Sequence, residues 1–118
     1  MNVEQVRQYC IFKKGVTESF PFDEHTLVFK VMEKMFALIA LERVPLQINL
    51  KCDPERAIQL REEYDGLIIP GYHMSKVHWN TVYVEQVAPD FVRNLIDHSY
   101  QLVVDKLPKK KKEELSAL

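Results

Sequence analysis

A chain of 118 residues that is 47% hydrophobic and 28% charged has ordinary globular composition, and it is long enough for one core that buries roughly two thirds of the unfolded surface. A formal net charge of -1 at pH 7 excludes a whole-molecule field that draws in nucleic acid or anionic membrane, so any such attraction must come from local clustering. The two cysteines, Cys10 and Cys52, stand far apart with no CxxC or Cys/His zinc spacing, which excludes a disulfide framework and a zinc module and leaves buried free thiols as the expectation.

The start MNVEQV lacks the basic residues and apolar stretch of a signal peptide, and the longest apolar run, MFALIAL, falls far short of the ~20 residues that span a bilayer. A cytoplasmic protein with no membrane contact is expected. NVEQVRQYCIFKK predicts a first helix, with Asn2 as its cap, Gln5 reaching back as the capping-box partner, and Val3, Val6, Tyr9, Cys10 and Lys13 at helical spacing. Gly15 ends it. GVTESFPFDEH reads as an irregular loop whose two phenylalanines, Phe20 and Phe22, flank Pro21 and tuck into the core. TLVFKV and KMFALIAL predict an antiparallel hairpin with its tip near Glu33 and Lys34, the second strand central because it is apolar on both faces. LQINLKC alternates cleanly, with Leu46, Ile48, Leu50 and Cys52 inward and Gln47, Asn49 and Lys51 outward.

Asp53-Pro54-Glu55 is a strong helix start, because the carboxylate accepts free first-turn N–H groups and proline loses nothing at the first helical position. That helix runs to Tyr64 and stops at Gly66. TVYVEQV predicts a fourth strand, and after Ala88-Pro89-Asp90 a long helix carries one apolar stripe of Phe91, Val92, Leu95, Ile96, Ser99, Leu102 and Val103. The order α-β-β-β-α-β-α predicts a two-layer α+β domain over residues 1–107, helices on one face of a largely antiparallel sheet, followed by a charged tail over 108–118. The opposite face is expected to carry Lys30, Gln47, Asn49, Lys51, Thr81 and Tyr83.

Enzymatic chemistry finds little support in these residues. No acid or thiol lies between Gly71 and Val84 to join His73 and His78 in a metal site, Ser75 sits in no nucleophile elbow, and the three glycines form no phosphate loop. A non-enzymatic protein without a cofactor is the expectation. IIPGYHMSKVHWNTVYV is locally basic in a slightly acidic chain: His73, Lys76 and His78 offer donors, Asn80 an amide, and Tyr72 and Trp79 flat faces that stack on a partner or anchor the loop.

Taken in order, GVTESFPF, TLVFKV, KMFAL, LKCDPERAIQLRE, IPGYHMSKVHWNTV and LIDHSYQLVVDKLPKK resemble the MmcQ/YjbR family of small bacterial proteins across nearly the whole chain. The resemblance implies an α/β fold with helices layered on an antiparallel sheet, reminiscent of frataxin-like proteins, and DNA binding through a double-wing motif. The family pattern marks Pro21, Phe22, Lys30, Phe36, Lys51, Asp53, Pro54, Pro70, Gly71, His73, Lys76, Trp79, His98 and Tyr100. Of these and their neighbours, Lys30, Lys34, Lys51, His73, Lys76, His78 and Asn80 are the expected DNA contacts. Residues His73 to Asn80 form one wing, and the hairpin from Val31 to Met35 forms the other. The alternative is a non-catalytic module whose open sheet face, with Lys30, Lys51 and Tyr83, receives an acidic protein or a small ligand.

Overall fold

The computed structural model describes residues 1–71 and 74–118. Helix α1, Val3–Ile11, begins at the predicted capping box, with Gln5 N–H donating to Asn2 at 2.8 Å and Asn2 N–H donating to the Gln5 side chain at 2.9 Å. The hairpin pairs β2, Thr26–Val31, with β3, Lys34–Ala40, around a two-residue turn in which Met32 and Glu33 both have positive φ. Such a turn twists in the sense that strands require. β3 is interior and apolar on both faces as expected, pairing on its other side with β4, Gln47–Lys51. Asp53 caps α2, Pro54–Glu63, by accepting from Arg56 N–H at 3.2 Å. The apolar stripe lays α3, Pro89–Asp105, on the sheet through Val92, Leu95, Ile96, Ser99 and Val103.

Three elements depart from the expected order. Residues expected as loop form an edge strand, β1, Val16–Ser19, antiparallel to β2. Its anchor is distant in sequence: the Arg7 guanidinium of α1 grips the Glu18 carboxylate with two bonds of 2.9 and 2.5 Å. β5, Ile68–Pro70, is a second short edge strand, and it pairs with β6, Trp79–Tyr83, which begins two residues before the predicted TVYVEQV strand. A proline is tolerated there because an edge strand leaves one side of its backbone unpaired. The segment after Pro108, expected as a charged tail, is helix α4, Lys109–Ser116; it docks through buried Leu115, and Lys14 Nζ donates to the Ser116 carbonyl at 3.0 Å.

All strands join one antiparallel sheet in the order β1-β2-β3-β4-β6-β5. The main core lies between this sheet and the helices, with Phe29, Phe36, Ile39, Ile48, Val82 and Ile96 fully enclosed. A bulge at Phe36 turns its side chain toward the helix layer, where its ring meets Tyr100 edge-on at 5.5 Å. The expected inward placing of Phe20 and Phe22 is overturned: they are 48% and 64% exposed. Because β1 pairs with β2, the phenylalanine loop becomes the connection at the end of these two strands, outside the main core, where Phe22 borders the open face. No helix among the described residues is long and apolar enough to cross a membrane.

Candidate nucleic-acid interface on the open sheet face

Alternation along each strand divides the sheet's residues between the helix layer and an open face. Ile48 and Leu50 of β4 are buried against the helices, while Gln47, Asn49 and Lys51 point the other way and are half-buried. The register aligns open-face residues in two rows. Near the Met32–Glu33 turn, Lys30 stands opposite Met35 and Lys51 opposite Trp79; the next row runs Val28, Leu38, Asn49, Thr81. Sequence reasoning therefore placed Lys30, Gln47, Asn49 and Lys51 on their correct face.

Trp79 is only 6% exposed. It lies outside the main core, in a small second cluster on the open face with Val28, Leu38, Met35 and Met74, so of its two expected roles it serves as an anchor and has no free face for stacking. Lys51 Nζ lies over its ring, 5.9 Å from the centroid. Gly71 is what lets β5 approach this residue. Its N–H donates to the Trp79 carbonyl at 2.9 Å, and a Cβ there would stand 2.7 Å from Trp79 Cβ.

Asn80, expected to contact DNA, is 2% exposed and turned toward the helix layer. Its Oδ1 accepts from Arg61 Nε at 2.7 Å and its amide donates to the Ala57 carbonyl. The correction follows from strand parity: β6 starts at Trp79, so Asn80 necessarily faces opposite to it. Arg61, which the sequence did not single out, also donates to the carbonyls of Lys76 and Trp79 and thereby pins the segment carrying Lys76 and His78 against α2. Lys76 and His78 are exposed as expected. The expectations for Tyr72 and His73 fall outside the described residues.

Lys34 is exposed at the start of β3, and it brings a cationic cluster together with Lys51 and a residue that sequence reasoning missed, Lys106 at the C-cap of α3. Burial lowers the Lys51 pKa, and the charges of Lys106 and Lys34 lower it further. Among the described residues, none of Lys30, Lys34, Lys51, Lys76 and Lys106 forms a salt bridge, whereas Arg7, Lys13 and Arg93 all do. Lys51, His78 and Lys106 border one hollow of about 120 Å³, which Asp53, the cap of α2, also lines. Only the fold could reveal Lys106, because its neighbours there lie on strands more than fifty positions away.

A larger groove of about 480 Å³ lies on the open face. Its lining combines apolar Phe22, Leu38, Ala40 and Met74 with polar Asp23, Thr26, Arg43, Gln47 and Asn49. His98, by contrast, borders a cavity of only about 10 Å³ under the sheet, at the threshold for holding a single water. Its Nε2 accepts the Asp53 N–H at 3.2 Å, helping to fix the start of α2, and burial together with nearby Arg56 lowers its pKa. Among the described residues no three of His, Cys, Asp and Glu gather as a metal site would require. Burial raises the Cys10 thiol to about 12, well removed from the thiolate form needed for nucleophilic chemistry.

Comparison with known proteins places these features among relatives. The YjbR family model matches residues 12–102. YjbR of Escherichia coli K12, described as uncharacterized, is 34% identical over 119 aligned positions that cover all of both chains. YyaQ of Bacillus subtilis, likewise described, is 43% identical, with 84% of this chain and 95% of that protein covered. In three dimensions the chain is similar to the Deinococcus radiodurans protein DR2400, a DUF419 domain, with TM-score 0.91 and 39% identity over 98% of this chain and 88% of that one. A Pseudomonas syringae protein superposes with TM-score 0.74 at 29% identity, over 86% and 98% of the two chains.

Proposed function

The chain belongs to the YjbR family, and from that premise we propose that it is a non-catalytic DNA-binding protein that holds phosphates at the hairpin end of its sheet. The observation that carries this reading is that Lys51 and Lys106 border one hollow, with Lys34 near enough for its charge to act on Lys51, and that none of the three is held in a salt bridge among the described residues. Packing like charges together disfavours the isolated protein, and an anion placed among them relieves the repulsion. Lys30 and exposed Lys76 and His78 extend the surface on either side.

The hairpin takes part by its flank rather than its tip. The turn ends in Glu33, whose carboxylate repels a phosphate backbone, while Lys30 and Lys34 lie behind it on the strands. With about four phosphates engaged, the logarithm of the binding constant should fall with log salt at a slope of about -3.5 on a duplex and about -3 on a single strand. The net charge of -1 supplies no long-range compensation.

Fluorescence anisotropy with labelled oligonucleotides across a salt series tests the reading. Lys34→Glu combined with Lys106→Glu is expected to abolish binding, while Arg93→Gln, at the opposite end of α3, leaves it unchanged. No binding at low salt, or binding untouched by the double substitution, overturns the proposal. The 480 Å³ groove favours a second reading, a small-molecule ligand on the open face.

A further inference from the structure

We infer that the groove on the open face is a seat for an unpaired nucleobase, so that the DNA held by this protein is single-stranded; the inference rests on the phosphate-binding reading above. The volume of about 480 Å³ falls within the range of sites that enclose small planar molecules. Leu38 and Ala40 supply an apolar floor, and Phe22 and Met74 line the groove beside it. Phe22 is 64% exposed, which leaves its ring available to a base.

The polar groups suit a base edge. Gln47 and Asn49 stand two apart on β4 and face the same way, which spaces them about 7 Å apart. Among the described residues the Gln47 side chain makes no hydrogen bond. The Thr81 hydroxyl donates to Asn49 Oδ1, so Asn49 keeps its amino group for a partner. Amide side chains of this type pair with the donor and acceptor pattern of a base. Asp23 also lines the groove, but its carboxylate already accepts the N–H groups of His25 and Thr26 and the Thr26 hydroxyl. Its charge keeps phosphates away from that rim and directs them toward the lysines.

Continuity along β4 joins the two halves of the surface. Gln47, Asn49 and Lys51 succeed one another on the open face as amide, amide and cation, about 7 Å apart at each step. A strand laid along β4 therefore presents a base to the groove while its neighbouring phosphate reaches Lys51 and the cluster around it. A duplex does not meet this arrangement, because paired bases expose only their edges and keep their faces stacked. The Glu33 carboxylate at the hairpin turn also opposes insertion of that turn into a duplex groove.

The test compares labelled oligo-dT and oligo-dA with a duplex of equal length at low salt, using wild type, Phe22→Ala, Gln47→Ala and the Lys34→Glu/Lys106→Glu protein. Wild type is expected to bind a single strand at least about tenfold more tightly than duplex, and Phe22→Ala to lose about tenfold on the single strand alone. Gln47→Ala should lower single-strand affinity without changing the salt slope. Equal affinity for duplex, or single-strand binding indifferent to Phe22→Ala, overturns the nucleobase seat while leaving phosphate binding intact. Failure to bind any of the oligonucleotides overturns the underlying reading. dAMP or dTMP bound as tightly as the oligonucleotides, with backbone amide shifts at Gln47 and Asn49, supports the seat and overturns the strand.

Discussion

The hydroxyl of Ser99 donates to the carbonyl of Phe36 at 2.5 Å. The same oxygen accepts the Lys51 N–H at 2.9 Å, so one buried side chain of α3 satisfies the carbonyl of the bulge in β3 and the last amide of β4. Replacement by alanine leaves two buried backbone groups without partners. Ser99→Ala is expected to destabilise the fold by about 1–3 kcal/mol. Urea denaturation gives the magnitude, and faster hydrogen exchange at the Lys51 amide shows that the loss arises at this point.

A pH dependence follows from His98. Only the neutral imidazole accepts the Asp53 N–H, and burial with Arg56 nearby lowers the pKa from its ordinary 6.5. A histidine depressed in the folded state contributes stability that is complete above the unfolded value and is lost as pH falls through the folded value. His98→Gln, which retains an acceptor that does not titrate, should therefore flatten the decline in Tm below about pH 6.5. A decline of equal steepness in wild type and variant refutes the assignment.

Docking of α4 rests on a small contact. Gly15 has φ +74° and lies directly under Leu115, where a Cβ would come within 2.5 Å of the leucine's Cδ1. Leu115→Ala removes the only buried side chain of the helix, and trypsin should then cut among Lys109 to Lys112 faster than in wild type. Gly15→Ala should act in the same direction and add about 1 kcal/mol of backbone strain. Cleavage rates unchanged in both variants argue against a docked helix.

Gly71 has no such option of a flexible neighbour. The atoms its Cβ would meet are Trp79 Cβ at 2.7 Å and the Trp79 carbonyl oxygen at 3.0 Å, both fixed to the backbone of β6. Gly71→Ala should cost about 1–3 kcal/mol by overpacking. Because Trp79 is the only tryptophan, its emission reports the site directly; a shift to longer wavelength together with a lower Tm is the expected outcome.

Elements with strong local signals were legible in the sequence. Asn2 with Gln5, Asp53 with Pro54, and the alternation of LQINLKC each announce a cap or a strand face through neighbouring residues. β1, β5 and α4 announce themselves poorly, since each is short and is held by partners far along the chain: Glu18 by Arg7, β5 by β6, and Leu115 by Gly15. For the candidate site, Lys30 and Lys51 were found by residue type and strand parity, and Lys34 by its place at the hairpin turn. Asn80 was misplaced by a two-residue error in where β6 starts. Lys106 carries no signal of its own, and Phe22, though marked by the family pattern, was expected in the core, because residue type gives neither the neighbours of a helix end nor the side of a loop that solvent takes.

The two outer strands have a consequence for how copies of this protein meet. β1 spans four residues and carries the charged Glu18, and β5 spans three and ends on Pro70, which has no N–H to give. Edges this short and interrupted are poor templates for another strand. The sheet thus leaves one broad face uncovered by helices while both of its sides resist growth, so an open sheet face can exist without seeding fibres.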